Sequence, residues 1–418
     1  MIPSMARCAR SEYRSGWKTH PVLYAARLPF SDSASRIQTN EKGRTMPGAL
    51  EGIRVLDLCI ILAGPTCGRT LSEYGADVIK VDPEHRVPGL TPWLDVGRGK
   101  RSICLNITRD AGLEAFYRLA DTSDVLLQGF RKGVAERLGI GYEQLSERNP
   151  GIVYASINAF GQEGDWAMRP GFDQNAQAAT GMQLRNGGDG QPGPPPYTFN
   201  DYGTGIMAAY GVMLALLERE HTGRGQKIDT SLAYTASTFS SAYMVDYEGY
   251  EPDEVSGPEA KGFDTLNRLY RTADGWLALS VNNDGEREKF NSLGPFTKLS
   301  DRSTLEPIFA SRSTNDWVKS LSEAGIAATA SRTLADVRNE ARDDERDLIV
   351  AEHHPFFGGV EHGIAAPQMD ATPVRAGTSP VFGGDTVEVL TELGYSDDEI
   401  EAMRADGVIP QADGLPLR

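Results

Sequence analysis

The sequence lacks most of the features that would assign it quickly. Four cysteines (Cys8, Cys59, Cys67 and Cys104) are scattered over 418 residues with no CxxC spacing. That excludes a disulfide framework or a thiolate zinc site and predicts free thiols of a reducing compartment. No window approaches 18 uninterrupted apolar residues, so a membrane-spanning helix is excluded. Positive charge is in deficit. With 42 Lys and Arg against 58 Asp and Glu, the formal charge of −16 argues against nonspecific binding to nucleic acid or an anionic membrane. There is no P-loop, no GxSxG elbow, and no position that suggests a Cys–His pair. Of the six histidines, His353, His354 and His362 fall near one another but without nearby cysteines or a helical HxxxH. They are predicted to be loop histidines, and no metal site is expected.

What remains is globular: 40% hydrophobic and 24% charged residues, with 45 glycines and 24 prolines. The first 45 residues stand apart, with eight Lys/Arg, three Asp/Glu and six serines. Such a leader is similar to an organelle transit peptide, although Met46-Pro-Gly-Ala-Leu leads so directly into the first strand that a start at Met46 is the simpler reading. Residues 1–46 are therefore set outside the fold. A cytoplasmic location is expected, or an organelle matrix if the leader is real.

From residue 52 short apolar runs alternate with amphipathic stretches. Strands are predicted at 53–58, 76–81, 101–107, 124–130, 152–160 and 225–232, and helices at about 64–74 and 110–121. The pattern predicts a doubly wound α/β domain over 47–230, its parallel sheet covered on both faces. Residues 161–204 are rich in Gly and Pro and are predicted to hold no long regular element. A long helix follows at about 206–220, stopped by Gly223. A smaller α+β domain is predicted over 231–345, with a hairpin at 268–281 around Ala-Asp-Gly and helices at 313–324 and 332–342. Arg338–Asp347 reads as a solvated helix face. A C-terminal segment, 346–418, is expected to return to the large domain, with a helix at 385–393 and a capping box, Ser396-Asp-Asp-Glu399, opening a last one.

Gly203-Thr-Gly205-Ile-Met-Ala208 fits a dinucleotide fingerprint, but it follows a proline-rich loop instead of the first strand of a βαβ unit. No nicotinamide cofactor is expected. Two acidic positions remain, Asp173 at the head of a helix-like run and Asp201 where the long loop meets the helix. Spacing alone makes Asp201 an N-cap. A carboxylate can also act as a nucleophile that forms a covalent acyl intermediate. Composition does not choose.

Several blocks do choose. Leu50-Glu-Gly-Ile-Arg-Val-Leu-Asp-Leu58, Ala63-Gly-Pro65, Gly75-Ala-Asp-Val-Ile-Lys-Val81 and Gly99-Lys-Arg-Ser102 come first. Gly129-Phe-Arg131, Glu136-Arg-Leu-Gly139, Arg169-Pro-Gly-Phe-Asp173, Asn200-Asp-Tyr-Gly203 and Arg219–Gln226 follow. In this order they resemble the family III CoA-transferases, the group that includes formyl-CoA transferase, carnitine CoA-transferase and α-methylacyl-CoA racemase. The resemblance implies a Rossmann-like large domain, a smaller α+β domain and an interlocked homodimer. It also implies an enzyme that moves CoA from an acyl-CoA to a small carboxylic acid, with no cofactor beyond the CoA thioester itself. Asp201 takes the catalytic position, where it would carry CoA as an aspartyl thioester. The backbone N–H groups of 203–205 are candidates for holding an oxyanion, so Gly203 is included among the site residues. Asp173 would line the same pocket, and Arg86, Lys100, Arg101 and Arg131 would meet the phosphates and adenine of CoA. Two departures matter. The racemase branch carries a histidine where this chain has Phe172, which favours CoA transfer over racemisation. The glutamine of formyl-CoA transferase is replaced by Leu62, which argues against a formyl or oxalate substrate. Racemisation at the α-carbon remains the alternative.

Overall fold

The computed structural model describes residues 47–414, apart from 88, 252–255, 259, 297–301, 344–348, 364, 376 and 413. The predicted leader therefore lies outside the described residues, as does the end of the charge run at 344–347. In chain order, β1 (Arg54–Asp57), α1 (Ala63–Glu73), β2 (Asp77–Asp82), α2 (Leu90–Val96), β3 (Arg101–Cys104) and α3 (Asp110–Asp121) open the fold. Next come β4 (Val125–Gln128), α4 (Val134–Arg137), α5 (Tyr142–Arg148), β5 (Val153–Asn158), α6 (Asp173–Ala179) and α7 (Met182–Gly187). The long α8 (Phe199–Thr222) leads into β6 (Lys227–Ser231) and α9 (Leu232–Phe239).

β1 to β6 form one parallel sheet in the order β3-β2-β1-β4-β5-β6. The side chains of β1 to β5 alternate between two buried faces, while β6 at the edge is only half-buried. Leu56, Ile79, Ile103, Leu126 and Tyr154 point into a core shared with Phe116 and Leu119 of α3. Val55, Val78, Val125 and Val153 point into another, shared with Leu71 of α1 and Ala208, Ala209 and Val212 of α8. Burial on both faces is why these strands read as continuous apolar runs. The order reverses direction between β1 and β4, and in such sheets ligands bind beyond the carboxyl ends of the strands at that point.

The second unit is a three-stranded antiparallel sheet of β7 (Asn267–Arg271), β8 (Trp276–Ser280) and β9 (Ala327–Ala330). The predicted hairpin is there, its turn held by Gly275 N–H donating to Thr272 Oγ1 at 3.0 Å. Helices α10 (Asp284–Ser292), α11 (Arg302–Ala310) and α12 (Thr314–Glu323) cover it. Its core is aromatic, with Tyr270 stacked on Phe309 at 4.5 Å and Phe290 on Phe296 at 4.3 Å. α13 (Leu334–Asp343) follows, with Arg338 and Glu340 exposed as expected of a solvated face.

β10 (Ile349–His354) and β11 (Gly358–Gly363) pair as a separate hairpin. This corrects the reading of His353, His354 and His362 as loop residues, since all three lie on strands. α14 (Thr386–Glu392) and α15 (Asp397–Ala405) pack Val389, Leu390, Ile400 and Met403 into the first core of the large sheet. The capping box at Ser396 and Glu399 is present. No helix among the described residues is long and apolar enough to cross a membrane.

One expectation about the middle of the chain fails. Residues 161–204 hold only short elements before the long helix, α6 where the helix-like run after Asp173 was expected, and α7. The long helix, however, begins at Phe199, well before Ile206. Asn, Asp and Gly at 200–205 are poor helix formers, so the sequence hides this turn. Tertiary packing overrides the propensity. A Cβ on Gly205 would sit 2.5 Å from Ala63 O, and one on Gly203 would sit 2.5 Å from the Phe239 ring. Glycine lets α8 press against α1 and α9 at once.

Candidate active site

The early start of α8 changes the position of Asp201. The N-cap is Thr198 and makes no side-chain cap bond. Asp201 is therefore in the first turn, and the reading of it as an N-cap is wrong. Its carboxylate instead faces the backbone N–H of Ala63, at the start of α1, which favours the ionised form. That N–H is one of the donors at a helix N-terminus that have no intrahelical acceptor; the first such bond in α1 is Thr66 N–H to Leu62 O, at 2.8 Å.

Asp173 closes the site from the other side. It is buried, and its carboxylate accepts the Asp201 backbone N–H at 2.9 Å and the Gln177 side-chain amide. The structure thus brings together the two carboxyl groups singled out in the sequence. Burial, and then the negative charge of Asp173, push the Asp201 carboxyl up to about 7. Two close carboxylates with different environments can divide the roles of charged neighbour and reactive group.

Tyr202 braces the same turn. Its hydroxyl donates to Asp95 Oδ2 at 2.6 Å, and Arg69 Nη1 meets Asp95 Oδ1 at 3.0 Å. Asn200 is fully buried, with no partner for either polar atom of its side-chain amide among the described residues. Ala63 and Tyr202 lie in the blocks that carry the family resemblance, but no role was read for either, and Asp95 belongs to no such block.

The expected oxyanion donors need correction. With α8 starting at Phe199, the N–H groups of 203–205 fall within the intrahelical ladder. The available donors are at the head of α1. Gly203 accordingly serves helix packing.

The four basic candidates divide sharply. Lys100 is buried, its ammonium 2.7 Å from Asp57 Oδ2 and 2.8 Å from Pro65 O. Arg101 spans Asp77, at 2.7 Å, and Glu392, at 2.6 Å. Both are engaged in the fold, which corrects their reading as phosphate contacts. Clustering of basic residues in sequence does not reveal which already have an acidic partner. Arg86 and Arg131 are exposed, with no ion-pair partner among the described residues. They sit in the loops that leave the carboxyl ends of β2 and β4, on either side of β1.

The thiols are not reactive groups here. Cys59, Cys67 and Cys104 are free and buried, and burial holds all three well above the ordinary thiol range. Cys8 lies outside the described residues. Phe172, where a histidine would serve racemisation, is exposed beside Asp173.

Comparison with known proteins adds the family. The pattern of CoA-transferase family III matches residues 50–386. The β subunit of succinyl-CoA–L-malate CoA-transferase from Chloroflexus aurantiacus is 32% identical, with 88% of this chain and all of that protein covered. The α-methylacyl-CoA racemase of Mus musculus is 30% identical over 86% of this chain and 97% of that one. Among solved structures, a CAIB/BAIF family protein from Brucella suis superposes with a TM-score of 0.73 at 25% identity, covering 83% of this chain and 100% of the other.

Proposed function

Since this chain belongs to CoA-transferase family III, an enzyme family that transfers CoA, we propose that it exchanges CoA between an acyl-CoA donor and a small carboxylic acid by way of an aspartyl thioester on Asp201. The observation that carries this reading is the single carboxylate placed between a helix N-terminal N–H and a second, buried carboxylate. In the first step Asp201 attacks the donor thioester. A mixed anhydride forms and CoA leaves as its thiolate. The thiolate attacks the aspartyl carbonyl, giving an aspartyl-CoA thioester and releasing the donor acid. The acceptor carboxylate then attacks that thioester, which forms a second anhydride and frees the thiolate again. Attack of the thiolate on the acceptor carbonyl completes the new acyl-CoA and restores the Asp201 carboxylate. Each step develops an oxyanion near the head of α1, where the Ala63 N–H meets the Asp201 carboxylate.

Arg86 and Arg131 are suited to the phosphates of CoA because both guanidiniums are free of acidic partners among the described residues. The relative from Chloroflexus aurantiacus takes succinyl-CoA and L-malate by its name, so a dicarboxylic donor and acceptor are the first to try. Assembly as a homodimer is part of the same proposal. One face of α8 leaves Ile206, Tyr210, Met213, Leu214 and Leu217 each about half exposed, and an apolar stripe of that size on a single helix suits a second copy of the chain.

Incubation with donor alone tests the reading. With succinyl-CoA and a panel of other acyl-CoAs, mass spectrometry should find CoA attached to one peptide, that containing Asn200, Asp201 and Tyr202. Absence of any adduct while turnover proceeds would end the nucleophile assignment. Racemisation is the second reading, kept because of the racemase relative. Deuterium exchange at the α-carbon without an acceptor acid would favour it.

A further inference from the structure

Ile61 is the single non-glycine residue with a positive φ among the described residues, at 69°. A β-branched side chain in this region is strained, since Cβ crowds the backbone, and such strain persists only where the surroundings over-determine it. The side chain does not supply that restraint, because Ile60 and Ile61 are 43% and 49% exposed. The restraint comes from the two ends of the loop between β1 and α1. At the strand end, Asp57 Oδ1 accepts the Cys59 N–H at 2.9 Å, and Leu58 N–H donates to Leu127 O of β4 at 2.9 Å. At the helix end, Lys100 Nζ donates to Pro65 O. The Asp57–Lys100 ion pair joins the two ends across the loop.

Two glycines show how tightly this is built. A Cβ on Gly64 would fall 2.2 Å from Cys59 Sγ, and a Cβ on Gly68 would fall 2.9 Å from both Asp57 Oδ2 and Lys100 Nζ. Helix α1 rests directly on the ion pair. Immediately after the strained turn comes Ala63, whose N–H meets Asp201 and whose carbonyl oxygen abuts Gly205 of α8.

We propose that the buried Asp57–Lys100 pair is a positioning device. It holds the left-handed turn at Ile61, and the turn aims the Ala63 N–H at the Asp201 carboxylate. Lys100 and Asp57 touch no substrate in this scheme. They act through the loop, and the catalytic relevance of that geometry rests on the reading of Asp201 as the nucleophile.

The test removes the pair without burying a lone charge. Asp57→Asn combined with Lys100→Met keeps an acceptor for the Cys59 N–H and deletes the bond to Pro65 O. Both partners become neutral, which buried pairs often tolerate. The readout is modification of Asp201 by a water-soluble carbodiimide, mapped to its peptide and followed against pH, so it needs no knowledge of the donor. A donated N–H favours the ionised carboxyl. Its loss should move the midpoint upward by about half a pH unit or more in the double variant. Adding Ile61→Gly, which makes the left-handed turn unstrained, should return most of that shift. A midpoint unmoved in the double variant would overturn the proposal, and so would an equal shift with Gly at 61. Should the double variant fail to fold, melting of single variants decides. Ile61→Gly should melt about 1–2 °C above the parent and Ile61→Val should not. A glycine variant melting at or below the parent removes the strain and the proposal with it. Failure of Asp201 to take up CoA from donors would refute the nucleophile and leave these measurements standing.

Discussion

Two sets of loops leave the same edge of the parallel sheet and are built in opposite ways. The loop after β1 is tied at both ends by a buried ion pair and carries a strained residue at its crest. The loops after β2 and β4 present Arg86 and Arg131 outward, with no acidic partner among the described residues. All these basic groups lie close in sequence, yet the fold uses Lys100 internally and leaves the two arginines available. The contrast teaches where rigidity is needed. In the proposed reading, a group that must point at the reacting carboxylate has to be held within about half an ångström, whereas cations that would meet a flexible polyphosphate need only be free and nearby.

The largest expected effect breaks the comparison at its fixed side. Asp201→Asn should lose activity by about 10³-fold or more, the scale associated with removing a covalent nucleophile. It should still fold. At pH 8 it should melt above the parent, and the sign follows from linkage. A buried carboxyl raised to about 7 stabilises the fold while protonated, and that contribution is lost as pH rises from the ordinary carboxyl range through 7. Asparagine never ionises and keeps it. An active Asp201→Asn enzyme with no reversion by deamidation would make Asp173 the next nucleophile to test.

A smaller effect belongs to the free side. Arg131→Ala or Arg86→Ala should raise KM for acyl-CoA about tenfold, since a charged contact to phosphate is worth about 1–3 kcal/mol. KM for the acceptor acid should hardly change. Equal effects on both substrates would assign these arginines to the fold, like Lys100.

The smallest effect sharpens the boundary between the two carboxylates. Asp173→Asn keeps an oxygen acceptor for the Asp201 N–H and removes the neighbouring charge. The rise of activity with pH, which the proposed mechanism ties to ionised Asp201, should move to lower pH by about one unit or less. An unchanged profile would separate Asp173 from the titration of the site.

How much of this was legible depends on range. The strands of the large sheet were, because burial on both faces writes itself as apolar runs at 53–58 and 124–130. Asp201 and Asp173 were found through ordered blocks that resemble a family, and spacing alone would have made Asp201 a cap. The start of α8 was hidden because Gly203 and Gly205 lower helix propensity for the sake of contacts with Phe239 and Ala63. Lys100 was misread for a related reason. Its partner, Asp57, lies on another strand, and pairing across 43 residues leaves no local trace. Arg101 is engaged by Glu392 from still farther along the chain. Ile61 carried no signal at all, since its strain is a property of the closed loop.

The contact between Gly205 and Ala63 has an electrostatic consequence. It places the amino ends of two helices, α1 and α8, against one carboxylate. Each helix ends there in partial positive charge from its aligned peptide dipoles, worth about 0.3–1 kcal/mol to a nearby anion and up to about 2 where water is excluded. In the proposed cycle the negative charge stays within this small region and changes only its form, from carboxylate to tetrahedral oxyanion and back. Two fixed macrodipoles favour it in every form. The field therefore does not have to reorganise between steps, and the chain can stabilise successive anions without moving a side chain or recruiting a cation.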